Sequence, residues 1–287
     1  KILKLLRFAC RNCPRKVSNL LRFRYIPSLA SYTWEVGLKM ADLRKNRVKQ
    51  KLNAGESAVI LMGLNSADSI EQFGSGNHDG IWLEGEHGGV DFDELADLTR
   101  ACDISGKTSI TRVHQNQEGL IYRTLDRGSQ GICVPHVNTE EEARNVVKAG
   151  KFPPLGARGM FPGRQSYGVD NYYTKANDET FLTILIEDIV AIENLDTILS
   201  VKDIDVFFVA PGDLAASMGH IDSMNHPTVM QKIDDALLQI IQADKTAGTL
   251  ATETNIKHYH DLGVRCFLTP IQSWISDGIA RVTSKVR

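Results

Sequence analysis

From residue 56 onward the chain alternates short apolar runs with longer amphipathic stretches. The runs cover residues 58–62, 80–84, 109–113, 131–135, 182–187, 205–210, 248–251 and 264–269. Each is nearly continuously apolar, the pattern of parallel strands covered on both faces. Helix-sized patterns lie between them, at 92–102, 118–127, 139–149 and 189–199. Thr139 with Glu142 reads as a capping box, and Gly150 as the stop that ends the same helix. Pro227 suits a first helical position, after which Val229, Ile233, Leu237 and Ile240 recur on one face. Eight such βα units predict a closed α/β (β/α)8 TIM barrel more readily than an open sheet. The longest irregular stretch, 151–176, is rich in Gly, Pro, Arg and Tyr. A loop of that length in a compact domain is often functional.

Composition changes this picture only at the N-terminus. The 287 residues, 42% hydrophobic and 24% charged, suit one large barrel. A net charge of -2 gives no whole-chain case for nucleic acid, and no apolar run nears the roughly 20 residues that cross a bilayer. Residues 1–50 carry 13 Lys or Arg against Glu35 and Asp42, a balance of +11, so the rest of the chain carries -13. We therefore divide the chain into a basic N-terminal extension, 1–45, and a catalytic barrel, 46–287. The extension reads either as a transit or membrane-surface segment or as a leader outside the fold, with Met40 as a natural start of the enzyme. Five scattered cysteines, Cys10, Cys13, Cys102, Cys133 and Cys266, suit a reducing, cytoplasmic setting. Cys10 and Cys13 have metal-like spacing but no second pair nearby to complete a zinc site.

Catalytic groups of a barrel collect at the C-terminal ends of its strands. Here those ends read Glu84-Gly85-Glu86-His87, Thr111-Arg112, Val134-Pro135-His136, Glu187-Asp188 and Ala210-Pro211-Gly212-Asp213. Charge directly after an apolar strand is costly unless it is paired or used. Glu187 and Asp213 are hard oxygen ligands on neighbouring strands, suited to Mg²⁺, Mn²⁺ or Co²⁺. Arg112 offers a cation for a carboxylate or a developing enolate oxygen, and His87 an acid or base near neutral pH. Gly212 lets backbone approach a ligand, and its neighbouring amides suit a carboxylate. Together these groups point to proton abstraction next to a carbonyl, or to its retro-aldol equivalent. Taken singly, each acid reads as readily as a helix N-terminal residue, and His136 reads as a structural loop histidine.

These motifs resemble the HpcH/HpaI aldolase family, which includes macrophomate synthase-like and 2-keto-3-deoxy-sugar-acid aldolases. The resemblance runs from about Asn46 to the C-terminus. It is carried by the stretches 82–87, 111–113, 125–128, 134–137 and 153–159, by Glu187 with Asn194-Leu195-Asp196, and by 210–214. It implies a pyruvate-type barrel in which the metal binds at Glu187 and Asp213 and chelates the 2-keto acid. It further implies that His87 is the acid/base, that Arg112 steadies the enolate, and that Asp126 supports the histidine, from a neighbouring subunit. Glu84 stands where the family usually has Asp, Leu185 where it often has Gln, and Asp188 where it usually has Ser. These changes leave both metal ligands intact and alter what surrounds them. The aldehyde pocket is expected from Leu250, the 151–176 loop and subunit contacts, in a homo-oligomer resembling a trimer of dimers that exchanges its last helix. The expected partners are a small 2-keto acid and an aldehyde. A CoA-thioester lyase on the same architecture and a catalytically weakened binding barrel are the two rival readings.

Overall fold

The computed structural model describes residues 41–287. Residues 1–40 of the basic extension, with Cys10, Cys13 and Met40, lie outside the described residues. The compact unit runs from Asp42 to Arg287. Leu43 is already buried beside Phe152, Tyr172 and Ala176, and Lys45 bonds Glu179 at 2.7 Å. Packing onto the barrel thus begins slightly ahead of residue 46.

Asn46 caps the first helix, α1 (Arg47–Asn53), by accepting from the Lys49 backbone. Eight strands follow: β1 (Ala58–Met62), β2 (Gly80–Glu84), β3 (Thr108–Arg112), β4 (Gly131–Val134), β5 (Phe181–Ile186), β6 (Val206–Val209), β7 (Ala247–Leu250) and β8 (Cys266–Pro270). All pairs are parallel, and β8 returns to β1, closing the barrel. The limits differ from the sequence pattern by a residue or two, as at β5, which starts at Phe181. The helices between them are α2 (Ala67–Gln72), α3 (Phe92–Ile104), α4 (Glu118–Asp126), α5 (Glu140–Gly150), α6 (Tyr172–Glu179), α7 (Ile189–Glu193), α8 (Leu195–Leu199), α9 (Pro211–Ser217), α10 (Pro227–Gln242), α11 (Ile256–Leu262) and α12 (Gln272–Thr283). None is long and apolar enough to cross a membrane.

Several local expectations hold for identifiable reasons. The Thr139–Glu142 capping box is present on both sides. Gly150 ends α5, yet what it supplies is room: a Cβ there would stand 2.6 Å from Leu182 Cδ2. The single helix expected over 189–199 is two, α7 and α8, broken at Asn194. There the Asn194 amide turns to donate to the Asn138 carbonyl at 2.9 Å.

Strand alternation explains what reaches the barrel interior. In β5, Phe181 and Leu185 face inward with Trp82, Ile110, Cys133 and Phe208. Leu182, Ile184 and Ile186 face the helices. Continuing that phase points Glu187 inward, and the same count on β2 and β3 brings Glu84 inward above Trp82 and Arg112 above Ile110. The opposite wall stays apolar, with Met62, Ala210 and Leu250 packed on the interior cluster. At the other end Val48 of α1 seals the barrel, its backbone N–H bonded to Thr108 Oγ1 at 3.2 Å.

Candidate active site

Arg112 organises the β2–β3 side of the mouth. Its Nε donates to both carboxylate oxygens of Glu84, at 3.0 and 2.9 Å. Its Nη2 lies 2.8 Å from Glu84 Oε2, and its Nη1 lies 2.8 Å from Glu86 Oε2. Glu84 is fixed further by Trp82 Nε1 at 2.9 Å and by the backbone N–H groups of Glu86 and His87 at 2.9 and 3.0 Å. Burial alone would raise the Glu84 pKa, but the bonds from Arg112 and Trp82 outweigh it and hold the carboxyl below its usual range. Burial likewise opposes the Arg112 charge, and Glu84 outweighs it, raising the guanidinium pKa. The two shifts agree, so this is a true ion pair. The extra methylene of Glu84 is accommodated by that fork.

Glu187 is the other centre. It follows the last residue of β5 and is 1% exposed. Its Oε1 accepts the His136 backbone N–H at 2.8 Å, whereas its Oε2 is buried with no hydrogen-bond partner among the described residues. Its pKa is raised to about 7: burial is the chief cause, the His136 N–H and ring act against it, and the nearby charges of Asp213 and Glu86 add to it. A buried oxygen without a donor, surrounded by further negative charge, fits a hard divalent cation. Asp213 belongs to the first turn of α9, entered through Pro211, and is exposed at the mouth. Among the described residues no three His, Cys, Asp or Glu side chains converge into a closed metal cage. Two carboxylates with open positions are what a metal that also takes substrate requires. Gly212 is exposed beside them, with Met224 Sδ 3.7 Å from where a Cβ would stand.

The remaining expected residues divide. His87 is on the rim, 69% exposed at its side chain, with Nε2 3.8 Å from Glu86 Oε2. Leu250 ends β7 on the apolar wall. Asp126 is not brought to this site within one chain. It ends α4, which runs back toward the strand starts, and it bonds Arg158 at 2.7 Å. The loop expected to shape the aldehyde pocket lies at that same far end. It connects α5 to α6 and β5, and Gly163 packs against the Asp126 backbone. An αβ connection joins the barrel at the face opposite the C-terminal strand ends, where the site is built.

Two residues not singled out from sequence stand in the mouth. Glu86 joins Arg112 to the Glu187 side. His136, at a left-handed φ of 51°, holds its ring over Glu187. Its Nδ1 lies 3.0 Å from Asp188 Oδ2 and 3.5 Å from Glu187 Oε1, and its Nε2 lies 3.9 Å from Glu86 Oε1. Burial disfavours the imidazolium, but the Asp188 bond and the Glu187 charge outweigh it and raise the His136 pKa. The strand-end rule pointed at both positions; the preceding Pro135 led to a structural reading of His136.

The HpcH/HpaI aldolase/citrate lyase family model matches residues 58–263. A 2-keto-3-deoxy-L-rhamnonate aldolase of Klebsiella pneumoniae is 36% identical over 219 residues, 75% of this chain and 82% of that protein. The protein of the same name from Salmonella gallinarum is 35% identical over 220 residues, with the same coverage of each chain. Among solved structures, an HpcH/HpaI aldolase/citrate lyase family protein from Burkholderia cenocepacia superposes with a TM-score of 0.79 at 26% identity. It covers 85% of this chain and 100% of that one. Macrophomate synthase, with a TM-score of 0.72 at 22% identity, covers 86% of this chain and 92% of its own and shares the fold.

Proposed function

The chain belongs to the HpcH/HpaI aldolase/citrate lyase family, and we propose that Glu187 and Asp213 hold the divalent cation on which its aldolase chemistry depends. The enzyme makes or breaks a carbon–carbon bond between the enolate of a 2-keto acid and an aldehyde. The observation that carries the assignment is the buried, unpartnered Oε2 of Glu187. When bound, such a cation supplies Lewis-acid polarisation of the keto acid. Oxygen-only ligands favour Mg²⁺, Mn²⁺ or Co²⁺ over softer ions.

The chain's own residues do the rest. Arg112, locked between Glu84 and Glu86, keeps two of its five N–H groups for the oxygen that gains charge as the enolate forms. His87, on the open rim, moves the proton, and Gly212 leaves space for the keto acid against Asp213. Leu250 with Met62 and Ala210 presents an apolar wall to the carbon chain. Asp126 supports His87 between copies, because within one chain the two occupy opposite ends of the barrel. The relatives' names point to a 2-keto-3-deoxy sugar acid as substrate. The test is solvent deuterium exchange into the pyruvate methyl group. Exchange is expected only with divalent metal; wild-type exchange persisting in full after chelation overturns the proposal.

The last helix supports a homo-oligomer. α12 buries none of its residues, and Trp274, Ile275, Ile279 and Val282 are exposed at 41, 55, 58 and 67%. Beside it an apolar groove of about 340 Å³ is lined by Leu61, Leu64, Phe73, His78 and Ile271. An amphipathic helix with no face covered by the described residues is expected to pack on a second copy, in keeping with the trimer of dimers that the family resemblance implies. Sedimentation velocity should show an oligomer that dissociates in the double variant Ile275→Asp, Ile279→Asp; a monomeric wild type would refute this.

A further inference from the structure

The proposed aldolase site leaves one pair of side chains without a task. His136 comes from the loop after β4 and Asp188 from the end of β5, and the barrel brings them within 3.0 Å. Asp188 is additionally held by Asn138 Nδ2 at 3.2 Å. His136 has a left-handed backbone, which a side-chain-bearing residue keeps only where its surroundings enforce it. What enforces it is the His136 N–H bond to Glu187 Oε1 at 2.8 Å. That bond turns the ring outward over the mouth, where its side chain is 54% exposed. The Nδ1 edge is occupied by Asp188. Among the described residues the Nε2 edge has no hydrogen-bond partner, and it faces Glu86 Oε1 across 3.9 Å, a gap that a bridging oxygen fills better than direct contact.

From this geometry we propose that His136, oriented by Asp188, is the residue that selects a hydroxylated aldehyde as the acceptor half of the reaction. This rests on the aldolase reading of the site. A hydroxyl both donates and accepts, so it can pair with the Nε2 edge whichever way the imidazole hydrogen lies. When Nε2 carries that hydrogen, the hydroxyl accepts it and donates its own to the Glu86 carboxylate. An anionic acceptor is disfavoured at the same place. Glu84, Glu86, Glu187, Asp188 and Asp213 surround the mouth, and its cation, Arg112, is already forked onto Glu84 and Glu86. Asp188 is thus a positioning residue that acts through His136. It also gives a purpose to the departure from Ser at that position.

The two halves of the reaction separate this role from a structural one. Pyruvate proton exchange needs no acceptor, whereas addition to glycolaldehyde or to acetaldehyde compares two acceptors that differ only in the hydroxyl. The wild type is expected to favour glycolaldehyde in kcat/KM. His136→Ala is expected to lower kcat/KM for glycolaldehyde about 10-fold, the worth of one hydrogen bond, and to leave acetaldehyde within twofold. Asp188→Ala should do the same through a raised KM, and Asp188→Asn, which still accepts from Nδ1, should recover most of it. Metal-dependent exchange should persist in each variant at saturating divalent metal, because Glu187, Asp213, Arg112 and His87 are all retained, and that persistence marks an intact donor site. Equal losses on both aldehydes, or a fall in exchange that matches the loss in addition, would overturn the assignment of His136. Wild-type protein that fails to exchange pyruvate at all would overturn the aldolase reading beneath it, a separate and recognisable outcome.

Discussion

Glu187→Ala is expected to lower metal-dependent pyruvate exchange by about 10³-fold or more, equivalent to about 4 kcal/mol of transition-state stabilisation. It should also weaken divalent-metal binding measured calorimetrically. The reason is structural as much as chemical. Glu187 is 1% exposed and its Oε2 has no donor among the described residues, so its loss removes a carboxylate oxygen that is free for a cation. Asp213→Ala should have the same direction with a smaller loss, because an exposed carboxylate is more readily replaced by water. The fold should survive both changes. Removing Glu187 takes away one backbone bond and its contact with the half-exposed His136 ring, a smaller loss than truncation of Arg112, which would strand Glu84 and Glu86. Glu187→Ala protein that keeps both metal affinity and exchange would refute its placement as a ligand.

The barrel was legible in the chain because parallel strands covered on both faces must be apolar throughout, and eight such runs alternate with amphipathic stretches. Register along β2, β3 and β5 then follows from the period of two, so Glu84, Arg112 and Glu187 could be placed at one mouth before any coordinates. Other features depend on direction rather than periodicity. The 151–176 loop looked like part of the site by its length and composition, and Asp126 entered through the family resemblance. Yet Asp126 ends a helix and the loop follows one, and a helix in this fold ends at the far face. Local sequence carries no sign of which end of the barrel a loop occupies until strands and helices are assigned in order. His136 was missed for another reason. Its importance comes from a positive φ and from contacts to Glu187 and Asp188, some 50 residues away in sequence. Nothing in the motif Val134-Pro135-His136 discloses either.

The unusual state of Glu187 should also make the metal-free protein lose stability as pH rises. Its folded-state pKa of about 7 lies above the ordinary 4.5, chiefly because burial penalises the carboxylate. Between those values the native protein holds a proton that the unfolded chain has released, so stability falls with pH. The full shift corresponds to about 3 kcal/mol, lost between roughly pH 4.5 and 7. His136 acts in the same direction. Its raised pKa stabilises the fold below the ordinary 6.5 and ceases to do so as pH climbs through the folded value. Glu84 has the opposite sign: its lowered pKa contributes stability above the ordinary 4.5 that is lost as pH falls below it. Urea unfolding of chelator-treated protein at pH 5, 6, 7 and 8 should therefore show a decline toward alkaline pH. A saturating divalent metal should abolish that decline, because the ion favours the carboxylate that burial opposes. Glu187→Gln, neutral at every pH, should flatten most of the slope without metal and gain nothing from added metal. A flat profile for the metal-free wild type would show that Glu187 ionises as easily in the fold as in water, and would remove the main physical argument for a cation beside it.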